Sequence, residues 1–181
     1  MLELSVNETV DIWFMDECHF QQHGSRLAAW FPWDVKDPVI KHAPTRKKIG
    51  IIGAVRAQEG KLVAREEDKF NAQSIEAFFD ELYKHKVKNK IMVVIIDNAR
   101  FHHAKALQSW LDDHKEGFVL EFLPPYSPEL NHIERVWKLL RRLCTHNQYF
   151  ECLDKLRQTV YEKLSEWSLP NKVLTTLCAI N

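Results

Sequence analysis

The sequence lacks the marks of several large protein classes. It carries no surplus of one charge, with a formal net charge of +0. A chain that simply coats nucleic acid carries a basic excess, so any phosphate-binding surface here must come from uneven placement of charge. Cysteines are few: Cys18, Cys144, Cys152 and Cys178, with no CxxC pair. That excludes a disulfide framework as the simplest reading and favours reduced thiols in a cytoplasm. Neither Cys18 with His19 nor Cys144 with His146 and Cys152 has zinc-site spacing. Long hydrophobic runs are missing too. The longest wholly apolar stretch, Ile91 to Ile96, is far too short to cross a bilayer. Glu3, Glu8 and Asp11 stand where a signal peptide needs positive charge and an apolar core. There is no internal repeat, low-complexity stretch, flexible linker, phosphate-binding glycine loop or GxSxG elbow. The expectation is a soluble cytoplasmic protein with no membrane partner.

What is present is enough to build a core. Hydrophobic residues make up 45% of 181, and a single domain over 1–181 is expected. Val10 to Met15 reads as a strand, with Cys18 to His23 as a candidate hairpin return. Trp30 to Pro44 is irregular, with Trp30, Phe31 and Trp33 close together and prolines at 32, 38 and 44. Lys48 to Val55 reads as a strand whose two glycines imply a bulge or a close backbone approach. Lys61 to Arg65 is a short strand after the Glu59-Gly60 turn. Asn71 to His85 is an amphipathic helix, with Ile75, Phe78, Phe79 and Leu82 at helical spacing. Ile91 to Asp97 is apolar on both faces, as in a central strand covered by helices. A helix over His103 to His114 points Ala104, Leu107, Trp110 and Leu111 inward, and Phe118 to Leu123 is the next strand. The turn Pro124-Pro125-Tyr126-Ser127-Pro128 then opens a helix reaching about Cys144, with Leu130, Ile133, Trp137, Leu140 and Cys144 on one face. Helices over Glu151 to Trp167 and Asn171 to Ile180 complete an α/β pattern: a mixed sheet flanked by helices.

Three acids stand in legible settings. Asp16 and Asp97 end apolar strands, and Glu134 rides the helix after the proline-rich turn. A carboxylate at a buried strand end is costly unless a cation meets it. Three that converge repel one another and call for divalent metal, the equipment for phosphodiester chemistry. Each has a plainer reading. Asp97-Asn98 suits a turn, Asp16 a strand end, and Glu134 an exposed pair with Lys138. Asp16 and Glu17 are also rivals, since strand neighbours face opposite ways and parity alone does not choose between them. Asn131, Glu134, Lys138 and Arg141 form a polar stripe beside the apolar face. Arg135, Lys138, Arg141 and Arg142 make the helix basic, either as a path for DNA phosphates or as a solvated face. Trp137 fits the core better than a DNA-stacking role by its spacing.

The runs Asp97-Asn98-Ala99-Arg100-Phe101-His102-His103 and Leu123 through Pro128 to Trp137 resemble the catalytic domain of DDE transposases, in the bacterial insertion-sequence branch of the mariner superfamily. The strand ending Met15-Asp16-Glu17 is similar to the family's first acidic motif. Trp30, Pro38 and Lys48 to Val55 fall where its next strands lie. The resemblance covers Val10 to Trp167 and implies a ribonuclease-H-like fold. It also implies Asp16, Asp97 and Glu134 as catalytic and metal carboxylates, choosing Asp16 over Glu17. His102, Asn98 and Asn131 become auxiliary groups: His102 to orient Asp97 or meet a phosphate, the asparagines to hydrogen-bond the acids. Two Mg²⁺ ions, with Mn²⁺ as substitute, are the implied cofactors. Double-stranded DNA (element ends and target) is the implied partner, bound by a homodimer in the bacterial cytosol. The implied reaction is hydrolysis at an element end to leave a 3′-OH, followed by attack of that 3′-OH on target DNA. The alternative is an inactive or domesticated relic that binds DNA or protein. A cellular ribonuclease-H-like nuclease is a third reading, without a reason for the proline-rich turn. Members usually carry helix-turn-helix modules ahead of the first acidic strand. Here that strand begins about ten residues from Met1, which leaves no room for one in this chain.

Overall fold

The computed structural model describes residues 9–36, 38–39 and 41–179. Its spine is a five-stranded sheet in the order β3-β2-β1-β4-β5. The strands are β1 (Val10–Gln21), β2 (Lys48–Arg56), β3 (Lys61–Glu66), β4 (Ile91–Ile96) and β5 (Phe118–Phe122). β1, β2 and β3 pair antiparallel, while β4 and β5 run parallel to β1. The helices are α1 (Ala72–Tyr83), α2 (Lys105–His114), α3 (Ile133–Cys144), α4 (Leu153–Trp167) and α5 (Lys172–Leu177).

β1 explains the layering. Its side chains alternate between two apolar cores. Ile12, Phe14, Cys18 and Phe20 pack with α3, α4 and α5 on one face, and Trp13 and Met15 pack with α1 and α2 on the other. A sheet buried on both faces needs strands apolar at nearly every position, and β2, β4 and the Ile12–Met15 stretch of β1 are. Asp11 is the buried exception at 1% exposure. Its carboxylate accepts from Arg56 Nε at 2.6 Å and Trp13 Nε1 at 3.1 Å, so its charge is paired rather than stranded.

The structure differs from the sequence reading in several places. β1 is one continuous strand through Gln21, so Cys18 to His23 is no hairpin return and Asp16 lies mid-strand. The reason is the partner: β2 pairs with β1 as far as Gln21↔Lys48, giving the polar second half of β1 a full ladder. Trp30 and Pro38 belong to no strand. Trp30 and Trp33 are fully exposed. The helix at His103 is divided into a 3-10 turn, Arg100–His103, and α2 from Lys105. The helix after the proline-rich turn is also divided, into a 3-10 turn at Pro128–Leu130 and α3 from Ile133. Leu130 consequently points outward, 46% exposed, while Ile133, Val136, Trp137, Leu140 and Cys144 are buried. Ile180, the expected end of the last helix, lies outside the described residues. α1 starts on a capping box in which Asn71 and Ser74 satisfy each other's backbone N–H groups. Among the described residues, no helix is long and apolar enough to cross a membrane.

Candidate active site

The parallel ladder of β1 with β4 ends at Phe14↔Ile95, while β1 runs on against β2. A cleft of about 610 Å³ opens there, beyond the carboxyl end of β4. That edge is where open α/β sheets place ligands. Asp16, Asp97 and Glu134 all line it, together with Asn98, Asn131 and the Pro124–Pro128 turn. Three segments far apart in the chain thus bring their acids to one concavity.

Asp16 sits on the β1 face that packs under α3. Trp137 Nε1 donates to its Oδ2 at 3.1 Å. The indole lies against Gly53, the residue paired with Asp16 across the β1–β2 ladder. A Cβ on Gly53 would come within 2.5 Å of Trp137 Cη2, so only glycine leaves room for the ring. Burial first, and then the charges of Glu17, Glu134 and Asp97, push the Asp16 carboxyl up to about 8. Without a cation it would hold its proton at neutral pH.

Glu17, one residue on, faces the other way. Its Oε1 lies 3.0 Å from His102 Nε2. The other ring nitrogen, Nδ1, lies 3.1 Å from Asp97 Oδ1 and 3.2 Å from the Asp97 carbonyl. The His102 side chain is fully buried with acceptors at both nitrogens. Burial opposes its charge, but the hydrogen bonds to Asp97 and Glu17 outweigh that and raise it to about 9. His102 is therefore an imidazolium clasp between β1 and the end of β4. Its hydrogen bond, against a burial penalty and helped by Ala99 N–H, holds Asp97 below the usual carboxylate range.

The auxiliary asparagines do something other than expected. Asn98 Oδ1 meets His103 Nε2 rather than an acid. Asn131 is buried, and its Nδ2 donates to Met15 O at 2.9 Å, pinning the start of α3 to the residue before Asp16. Its Oδ1 is buried without a partner among the described residues. The basic residues also separate. Arg135 and Lys138 border a depression that shares Asn131 and Glu134 with the cleft, and Arg135 donates to Leu177 O at 2.9 Å. Arg142 is exposed. Arg141 is half-buried over Phe20 and donates to Cys18 Sγ, two residues along β1 from Asp16, and does not line the cleft. The Trp137–Asp16 bond and the Glu17–His102 clasp have no motif in the sequence. The one signal for the first is the glycine in β2, which implies a close approach.

The donor set suits hard divalent cations, which take carboxylate oxygens, carbonyls and water. Among the described residues, no three acidic, histidine or cysteine groups stand close enough to enclose one ion as the side chains lie. A pair of ions sharing one carboxylate asks only two carboxylates of each ion. The raised Asp16 and the unpartnered Asn131 Oδ1, an acceptor for a metal-bound water, fit that demand.

The sequence pattern of one family, described as DDE superfamily endonuclease, matches residues 11–157. An uncharacterized 39 kDa protein of insertion element IS630 from Shigella sonnei is 31% identical over 93 residues, which is 50% of this chain and 27% of that protein. The Mos1 mariner paired-end complex with Mn superposes at TM-score 0.65 and 16% identity, over 92% of this chain and 51% of that one. The HTLV-2 integrase catalytic core domain in complex with magnesium superposes at TM-score 0.51 and 13% identity, over 84% of each chain. The fold shared with these structures is ribonuclease-H-like. The chain spans about half or less of the length of the insertion-element protein and the Mos1 chain.

Proposed function

Because the chain belongs to the DDE superfamily of endonucleases, we propose that it is the catalytic part of an insertion-sequence transposase. Its reaction is divalent-metal-dependent cleavage of DNA at element ends, followed by transfer of the freed 3′-OH to target DNA. The observation that carries this reading is the meeting of Asp16, Asp97 and Glu134 in one cleft, with Asp16 driven to a pKa of about 8. A polar centre this costly is kept where a cation discharges it.

Asp16, Asp97 and Glu134 would hold two Mg²⁺ ions, with Mn²⁺ able to substitute. Bound there, such ions supply Lewis-acid stabilisation of phosphate charge and a lowered pKa for the attacking water. The chain does the rest. His102 fixes one oxygen of Asp97 and leaves the other for the cleft. Trp137 fixes one oxygen of Asp16 in the same way. Asn131 holds α3, and with it Glu134, against β1. Arg135 and Lys138 offer positive charge beside Glu134, where a DNA backbone would pass. The substrate is double-stranded DNA, and a homodimer acts on paired ends.

The test is a nicking assay on element-end duplex with Mg²⁺ or Mn²⁺. The wild-type chain is expected to leave a 3′-OH at the element end, and Asp97→Asn is expected to abolish it. A wild-type chain that binds the duplex with metal present and cuts nothing would overturn the reading in favour of a binding relic. Cleavage confined to RNA–DNA hybrids would make it a cellular nuclease.

A further inference from the structure

A second cavity, of about 480 Å³, opens at the far end of the same two elements that carry Asp16 and Glu134. His19 of β1, His23, Arg26, His42 and Arg141 of α3 all line it. No carboxylate stands among the described residues that line it. Its fixed cations are the guanidinium groups of Arg26 and Arg141. Arg141 gives one N–H to Cys18 Sγ at 2.7 Å. A guanidinium has five, so donors remain for an anion.

The wall of this cavity is built, not a loose loop. Gly24 takes φ +64 and lies so close to the end of α3 that a Cβ would sit 2.7 Å from Thr145 O. Ser25 N donates to Thr145 O, Asn147 N to Ser25 O, and Leu27 N to Asn147 Oδ1. Gln22 Nε2 donates to Phe150 O. These bonds fix Arg26 beside α3. One carbonyl of the last turn of α3, Arg141 O, is occupied, accepting from Thr145 N, Thr145 Oγ1 and His146 N.

Distance relates the two cavities. Arg141 lies two turns along α3 from Glu134, about 10 Å at ~1.5 Å per residue. His19 and Phe20 lie three and four residues along β1 from Asp16, roughly 10–13 Å at ~3.3 Å per residue. At about 3.4 Å per nucleotide along the helix axis, that is about three to four nucleotides of duplex.

We propose that this cavity is a subsite for a backbone phosphate of the DNA strand whose scissile bond lies in the acidic cleft. The inference rests on the proposed function for the identity of the ligand. It deepens that reading by adding Arg26 and His42 to the substrate contacts, positions that neither motif spacing nor the basic face of α3 marks.

The test measures binding rather than cutting. The full chain, carrying Asp97→Asn so that DNA stays intact, is titrated with a labelled generic duplex of about 20 base pairs at several salt concentrations. Adding Arg26→Ala and His42→Ala is expected to weaken binding at low salt. The slope of log affinity against log salt should become shallower by about 0.9 for the lost phosphate. Arg26→Lys with wild-type His42 should restore the slope, which separates lost charge from lost fold. Unchanged thermal midpoints check folding independently. An unchanged salt slope in the folded double variant would overturn the subsite. So would a cavity that takes only free anion, seen as stabilisation of the parent by inorganic phosphate while both variants bind DNA as the parent does. If wild-type chain cuts no DNA yet the slope still falls in the variants, the cavity stands as a DNA-phosphate site without a scissile strand, and the transposase reading fails.

Discussion

Asp16 holds a proton that an unfolded chain would release. Its carboxyl titrates at about 8 in the native protein, against an ordinary value of 3.8. Between those values the native state binds more protons than the unfolded one, so stability falls as pH rises, by at most about 1.4 kcal/mol per pH unit from this group. That loss is complete above pH 8 and absent below pH 4. Asp16→Asn removes it. In chelator, the variant is therefore expected to melt above wild type at pH 8, with the gap closing toward pH 4. Thermal denaturation across that range checks the sign; a variant that melts lower at pH 8 would mean that burial of the carboxylate carries no such cost. The Gly53 contact gives a second expectation at this scale. Gly53→Ala drives a methyl into the Trp137 ring, which is wedged between strand and helix. Overpacking of this kind costs about 1–3 kcal/mol. Urea denaturation should register that loss, and nicking should fall because the indole N–H leaves Asp16.

At the scale of elements, His102 does what strand pairing cannot. The β1–β4 ladder stops at Phe14↔Ile95, and beyond it the Glu17–His102–Asp97 chain carries the connection. Removing one partner of a buried charged pair costs about 3 kcal/mol or more. Glu17→Ala should therefore destabilise the protein and also slow nicking, although Glu17 does not line the cleft. Glu17→Gln, which keeps an acceptor oxygen for His102 Nε2, should recover most of both. Equal loss in the two variants would show that the hydrogen bond is not what matters. The clasp also marks where the sequence stops being legible. Periodicity reveals α1, β4 and α3 because their apolar spacing is set by the core each faces. It breaks β1 after Met15, although Asp16-Glu17 is a poor tight-turn pair, because the apolar run stops there and only the β2 ladder shows that the strand goes on. It runs α3 back to Pro128, because Leu130 continues the apolar spacing although the backbone there is a 3-10 turn. Parity leaves Asp16 and Glu17 equal; α3 on one face and His102 on the other distinguish them.

For the whole molecule, the acids are both a weakness and a coupling point. They come from the middle of β1, the end of β4 and the start of α3, three segments that meet only when both cores have formed. Cations held by Asp16, Asp97 and Glu134 would tie these segments together and offset the burial, and then the repulsion, that raise Asp16. Binding to the native state alone stabilises by about 2.7 kcal/mol when the ion is at a hundred times its dissociation constant. For a chain of this size each kcal/mol raises the melting midpoint by about 2–4 °C. Saturating Mg²⁺ or Mn²⁺ is thus expected to raise the wild-type midpoint by roughly 5–10 °C at pH 8. Asp16→Asn, already relieved of its charge, should gain almost nothing, and Asp97→Asn and Glu134→Gln should gain part. The order matters more than the size. An equal shift in all four proteins would place the cation elsewhere on the surface, and the cleft would lose its claim to be the metal centre.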